Sequence, residues 1–281
     1  MEQKKLTECL AKWYDENHTE KGRRKASGVF VVPLLAELTA DQLYQLQNGS
    51  GNPLAQIHQV NSSAGLVVNY YKLFEEAHPS VVVDFEWKES IPLLKSSAPA
   101  NLDVRYELDG TIYFIESKFL EPYYSDAKKN AEAYFDKSRY PKEVDVSDKD
   151  AWQTLFKHEG TFRYFDYPQL CRHLLAIYRH NKKNPEMYRD KEIVLRSVGW
   201  EMTPSFKQYF QSLGWDDGDM KERCDTIQKE KEIATSIFKE HIQKISWHEC
   251  RFETDTYNNM LDEISGSKKF NQFIKQYFLE S

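Results

Sequence analysis

The dipeptide Asp109-Gly110 constrains this chain more than any other two residues. It divides two runs rich in β-branched and aromatic residues, 102–108 and 111–120. A two-residue hairpin turn of type I′ needs positive φ at both central positions, and Asp-Gly supplies it. Such a turn sets Leu108 opposite Thr111 and fixes the register of everything outside it. Counted outward, Asp103 faces Glu116. Lys118, two places on, shares Glu116's side of its strand.

Two carboxylates and an ammonium therefore converge on one face of one hairpin. Directly opposed side chains have Cβ atoms roughly 4.5–5.5 Å apart, where like charges destabilise. A divalent cation offsets that repulsion, and hard oxygen ligands suit magnesium, manganese or calcium. Lys118 offsets part of it and can face a substrate anion. Ile112, Tyr113, Phe114, Ile115, Phe119 and Leu120 describe a buried strand, on which charges are costly unless paired or metal-bound. The same spacing also fits an exposed face carrying a Glu/Lys/Asp ladder, and spacing alone leaves both readings open.

The flanking segments offer further candidates. Residues 81–87 read as a strand by β-branched content. Its alternation puts Val82, Asp84 and Glu86 on one face, with Glu86 either in reach of the hairpin site or at a surface strand end. Residues 62–77 read as a helix capped by Ser62 or Ser63, with Leu66, Asn69, Tyr70, Leu73 and Phe74 as its stripe. Asn69 within that stripe needs hydrogen-bond partners, so it either positions the site or pins a helix. Tyr167-Pro168-Gln169 opens a helix running to about His180. Gln169 and His173 share one face with Arg172 beside them, a set suited to a phosphate or an attacking water, or simply to solvent. Residues 192–200 form a further strand beside 111–119. Pro122 ends the hairpin strand, and Glu121 reaches the site only if the chain turns there.

Elsewhere the patterns predict helices at 39–47, 125–140, 204–210, 221–245 and 261–278, with 141–150 a charged loop. Ile227, Ile233, Ile237 and Phe238 are expected to face inward from the long fourth helix. The acidic stretch 215–220 lacks calcium-loop spacing. His241 with Trp247-His248-Glu249-Cys250 lacks zinc spacing, so a structural role is expected there. The expected fold is α/β: a central mixed sheet of about four or five strands flanked by helices, with a helical C-terminal extension.

With 281 residues, 40% of them hydrophobic and 29% charged, the chain can bury a sizeable core. No run approaches the roughly 20 apolar residues of a membrane helix. The N-terminus lacks an apolar signal core. Four scattered cysteines without a CxxC read as reduced thiols in a cytoplasmic protein. A net charge of −6 argues mildly against non-specific coating of nucleic acid, yet leaves room for a local basic surface.

Asp103 followed by Glu116-Ser117-Lys118 resembles the D…ExK signature of the PD-(D/E)XK nuclease superfamily. Asn101-Leu102 stands where a proline usually precedes the Asp. Ser62-Ser63-Ala64-Gly65 running to Asn69, Glu86, Glu121 and Gln169-Leu170-Cys171-Arg172-His173 extend the resemblance to a bacterial branch of restriction-endonuclease-like proteins, over a core of about 58–200 within one domain spanning 1–281. The resemblance implies a metal-dependent nuclease, with DNA the expected substrate and magnesium or manganese the cofactor. Asp103 and Glu116, with Glu86 and the backbone carbonyl of Ser117, would hold one or two ions. Lys118 would orient or deprotonate a water or stabilise the pentavalent phosphorus. Gln169 would position substrate, with Asn69, Arg172 and His173 as further binding residues. A homodimer stays open as an assembly. Two other classes compete: a silent binding module on the same fold, and an interaction protein whose hairpin carries surface charge.

Overall fold

The computed structural model describes residues 3–17, 22–25, 29–88, 94, 99–128, 131–140, 146–212 and 217–278. Most of the expected loop at 90–100, and part of the acidic stretch at 215–220, lie outside these.

Helix α1 (Gln3–Asn17) precedes a small antiparallel ribbon of β1 (Arg23–Arg24) and β2 (Phe30–Val31). Helix α2 (Ala40–Gln47) starts at Thr39, whose side chain accepts the Gln42 N–H while Gln42 reaches back to the Thr39 N–H. That reciprocal pair satisfies two donors a helix start otherwise leaves open. The short α3 (Pro53–Gln56) leads to α4 (Ser63–Ala77), capped by Ser62 as expected.

The central sheet has five strands in the order β3 (Asp84–Lys88), β4 (Asn101–Leu108), β5 (Thr111–Lys118), β6 (Glu192–Gly199) and β7 (Cys250–Thr256). The first three pair antiparallel and the last two join in parallel, so the sheet is mixed. The hairpin register is the expected one, with Leu108 opposite Thr111 and Val104 opposite Ile115. Asp109 and Gly110 have φ of 49° and 76°, the paired left-handed conformation that the turn requires.

Helices cover both faces. Leu66, Tyr70, Leu73 and Phe74 of α4 pack with Val104, Tyr106 and Ile115 on one side. On the other, Ile112, Phe114, Ile193 and Leu195 meet three helices. These are α6 (Val146–Lys157), α7 (Tyr167–Lys183) and α9 (Asp217–Lys244). The remaining helices are α5 (Glu121–Tyr124), α8 (Pro204–Ser212) and α10 (Phe270–Tyr277). Among the described residues no helix is long and apolar enough to cross a membrane. The four cysteines are unbridged.

Several expectations change. The helix expected at 125–140 is absent among the described residues. Two short 3-10 turns stand there, because the Ala127 N–H bonds to the Arg163 carbonyl while Ala131, Tyr134 and Tyr140 sink into the core. Instead α6 occupies the end of the expected loop, burying Trp152, Leu155 and Phe156 at helical spacing. The closing helix is broken: a 3-10 turn at Leu261–Ile264 is separated from α10 by Ser265-Gly266-Ser267, where the Ser267 hydroxyl bonds to Glu76. In α9 the inward stripe is Lys231, Ala234, Phe238, His241 and Ile242, whereas Ile233 is exposed. The C-terminal part adds the edge strand β7 to its helices.

Candidate functional site

The ladder of the sheet opens at one place. Glu86 and Asp103 are missing from the β3–β4 register, although the residues on either side of them pair. The β4–β5 register likewise ends at Val104 and Ile115, one step before Asp103 and Glu116. Phe85 and Val104 belong to the α4 side, yet Trp87 and Leu102 belong to the α7 side. Both strands therefore change face at this point. Glu86 carries the local distortion, with φ of 54°. A non-glycine residue held there costs about 1–3 kcal/mol, which surrounding structure must offset.

The opening is filled by side chains. Asp103 Oδ2 accepts the backbone N–H of Ser117 at 2.7 Å. A residue's N–H and C=O leave an antiparallel strand toward the same neighbour, so the Ser117 carbonyl also faces the gap. The Ser63 hydroxyl donates to that carbonyl at 3.5 Å. Glu86 Oε2 accepts the Ser50 N–H at 3.1 Å and is also bonded by Asn101 Nδ2. Gly49 makes room for this carboxyl, since a Cβ there would come within 2.6 Å of it.

Glu116 and Lys118 point to the α7 side. Lys118 Nζ donates to Glu116 Oε1 at 2.7 Å and to Gln169 Oε1 at 2.8 Å, with Asp166 Oδ2 at 3.9 Å. His173 Nε2 lies 2.9 Å from Glu116 Oε2 without a hydrogen-bonding geometry, and that oxygen is left with no hydrogen bond. The expected i, i+4 pair of Gln169 and His173 thus serves both members of the Glu116–Lys118 pair. Pro122 turns the chain into α5, and the Glu121 carboxylate accepts the Phe119 N–H at 2.9 Å.

The electrostatics follow from this crowding. Burial pushes the Asp103 carboxyl well up, and the Glu116 and Glu86 charges push it further. Burial also raises Glu86, against its bonds from Asn101 and Ser50. Burial alone would raise Glu116 too, but Lys118 and His173 outweigh it and bring this carboxyl down to about 2. For Lys118, burial favours the neutral amine, yet Glu116, Asp166, Asp103 and Glu121 together hold the ammonium above its ordinary value. With no metal bound, these carboxylates favour the ammonium form of Lys118.

Among the described residues no three His, Cys, Asp or Glu side chains converge as a ready cation cage. The candidate donors are Asp103, which bonds the Ser117 N–H, the Ser117 carbonyl beside it, and Glu116, the next residue along β5, whose Oε2 faces His173 Nε2 at 2.9 Å. Magnesium is commonly held by one or two carboxylates with water completing the octahedron, and this donor set fits it. Glu86 is committed to Ser50 and Asn101 and acts on the others through its charge.

A cavity of about 720 Å³ opens in front, lined by Glu116, Lys118, Glu121, Gln169, Arg172 and Lys231 among others. Asp103 and Glu86 lie outside its lining. Asn69 is not brought to the site: it sits on the α4 side, accepting the Leu35 N–H at 2.8 Å and donating to the Tyr277 hydroxyl at 2.8 Å. Its amide pins a helix.

Three residues beyond the sequence-derived set belong here. Asp166 stands at the start of α7, and its position just before Tyr167-Pro168 was the available signal. Lys231 reaches the cavity from α9, where its helical spacing with Ala234 and Phe238 marks it as buried. Glu230 accepts the N–H groups of Arg163, Tyr164 and Phe165 at 2.6–2.9 Å, fixing the loop that delivers Asp166.

No curated protein and no solved structure matches the chain. One family model does match, over residues 51–196, a span that includes Glu86, Asp103, Glu116, Lys118 and Gln169 and covers just over half of the chain. With its five-stranded mixed sheet between helices, the chain belongs to the restriction-endonuclease-like family described as "Restriction Endonuclease associating with ARP".

Proposed function

We propose that this protein is a metal-dependent nuclease of the PD-(D/E)XK type, hydrolysing phosphodiester bonds with DNA as its first expected substrate. One observation carries the reading: Lys118, held between Glu116 and Gln169, faces a cavity beside the gap where Asp103 meets Ser117.

Asp103, Glu116 and the Ser117 carbonyl would hold magnesium or manganese. When bound, such an ion supplies Lewis acidity and charge stabilisation at the phosphate. The chain's own groups do the rest. Lys118, held by Glu116 and Gln169 before substrate arrives, orients or deprotonates the attacking water or stabilises the negative charge that develops on the phosphate oxygens. Gln169 accepts one of its N–H bonds and leaves its amide N–H groups for substrate or for the attacking water. His173 holds Glu116 from behind. Asp166 shares the charge of Lys118 and keeps it directed into the cavity.

The test is cleavage of supercoiled plasmid and linear single-stranded DNA with magnesium or manganese, beside Lys118→Ala. Metal-dependent cutting that the variant loses supports the reading. Equal cutting by both proteins removes Lys118 from it. No cutting by either, with no manganese uptake in calorimetry, favours a silent binding module on the same fold.

A further inference from the structure

Lys231 is out of place among its neighbours. It lies in the buried stripe of α9 with Ala234 and Phe238 and is 8% exposed. Its ammonium makes no hydrogen bond among the described residues. The ion pair it forms, with Glu201 Oε1, spans 3.9 Å and involves a side chain that is 47% exposed. Asp255 also acts on it but is committed elsewhere, accepting the Thr256 N–H at 2.8 Å and the Asn259 amide at 3.2 Å. Lys118, by contrast, is gripped at 2.7 and 2.8 Å. Buried charges are normally paired and hydrogen-bonded, so a loosely held one that lines a cavity calls for a ligand.

Its location narrows the ligand. A Cβ on Gly199 would lie 3.4 Å from Lys231 Nζ, and Gly199 is the β6 partner of Lys118 on β5. Paired residues of neighbouring strands point to the same face. Lys231 therefore stands over the same face as Lys118, one strand across, and both line the same cavity of about 720 Å³. That size is typical of small-molecule pockets, about 300–1,000 Å³. A nucleotide unit fits inside it, and a strand that reaches Lys231 through it does so unpaired.

We infer that Lys231 is a second phosphate subsite, binding the phosphate next to the scissile one on an unpaired strand. The substrate class is then single-stranded nucleic acid, or a duplex end that has opened. This inference rests on the nuclease reading for the role of Lys118. A lysine suits the task as a point charge that binds a phosphate oxygen without demanding a planar partner.

Calorimetry with two thymidine dinucleotides tests it, one bearing a 5′-phosphate and one without, with calcium replacing magnesium to slow cleavage. Wild type should bind the phosphorylated ligand about tenfold more tightly or better, the effect of one charge-assisted contact. Lys231→Met should lose that preference while keeping its affinity for the unphosphorylated ligand. Lys231→Arg, which restores a cation, should retain it. The inference is overturned if wild type shows no preference or binds neither ligand. It is equally overturned if Lys231→Met still discriminates. A short blunt duplex that competes as well as the dinucleotide overturns the single-strand assignment. Cleavage without phosphate preference defeats this inference alone; phosphate preference without cleavage defeats the nuclease reading and leaves Lys231 a phosphate site with no scissile bond beside it.

Discussion

Asp103 bonds the Ser117 amide through its side chain, where a regular hairpin would have used its backbone. The carboxylate stands in for a ladder carbonyl and is thereby carried into the plane of the sheet, between Glu86 and Glu116. This arrangement gathers negative charge on three adjacent strands. Asn keeps an acceptor for the Ser117 N–H and removes the charge. We therefore expect Asp103→Asn to stabilise the metal-free protein at neutral pH, because burial and the Glu116 and Glu86 charges disfavour the carboxylate in the folded state. Urea unfolding measures this. Manganese should stabilise wild type and not the variant; a less stable variant would count against the crowded-carboxylate picture.

Gln169 bonds Lys118 and should matter for activity without mattering much for folding. Gln169→Ala is expected to lower kcat by about tenfold, the worth of one hydrogen bond to a charged group, with the unfolding midpoint nearly unchanged. Single-turnover cleavage gives the first number. A variant that cuts at the wild-type rate would remove Gln169 from the machinery.

Glu230 should matter for stability first. Its two oxygens satisfy three backbone N–H groups at residues 163–165. Glu230→Ala leaves these donors without their partner and should cost about 3 kcal/mol or more; Glu230→Gln should cost less. Denaturant titration of both variants decides it, and a cost below that of an ordinary surface change would mean the loop finds other partners.

His241 gives a pH dependence of known sign. It is buried against Trp152, and burial with Lys244 nearby lowers it from 6.5 to about 3. The folded state thus keeps the ring neutral while the unfolded chain takes up a proton. Its contribution is complete above pH 6.5 and erodes as pH falls toward 3. The slope approaches about 1.4 kcal/mol per pH unit within that window. His241→Leu should flatten the decline in melting temperature between those limits. An unchanged profile would show that other groups set the acid limit.

How much of this was legible depends on how local each signal is. The hairpin and its carboxylates could be read because a two-residue turn fixes their register. The Gln169 and His173 face followed from helical spacing, though its burial did not. No strand is expected at 250–256 because only Cys250 and Phe252 among these residues are apolar. Arg196 of β6, 2.9 Å from Glu253, supplies the missing context. Ser125 and Asp126 suggest a helix start for 125–140, but Ala131, Tyr134 and Tyr140 are buried in a segment of two 3-10 turns instead. Lys231 was hidden for a related reason: a lysine on a charged helix looks solvated until the strand beneath it is known.

The sheet's change from antiparallel to parallel pairing at β5 has a consequence for assembly. The carboxylate side of the site belongs to a hairpin, whose closure is local and fast. Lys231 arrives only after one crossover has returned the chain to β6, within the α9 crossover that leads on to β7, and such distant pairings close slowly. For part of its folding the hairpin's Asp103, Glu116 and Lys118 therefore stand without the α9 wall that carries Lys231. The cavity therefore acquires its full lining only once α9 has packed onto the sheet.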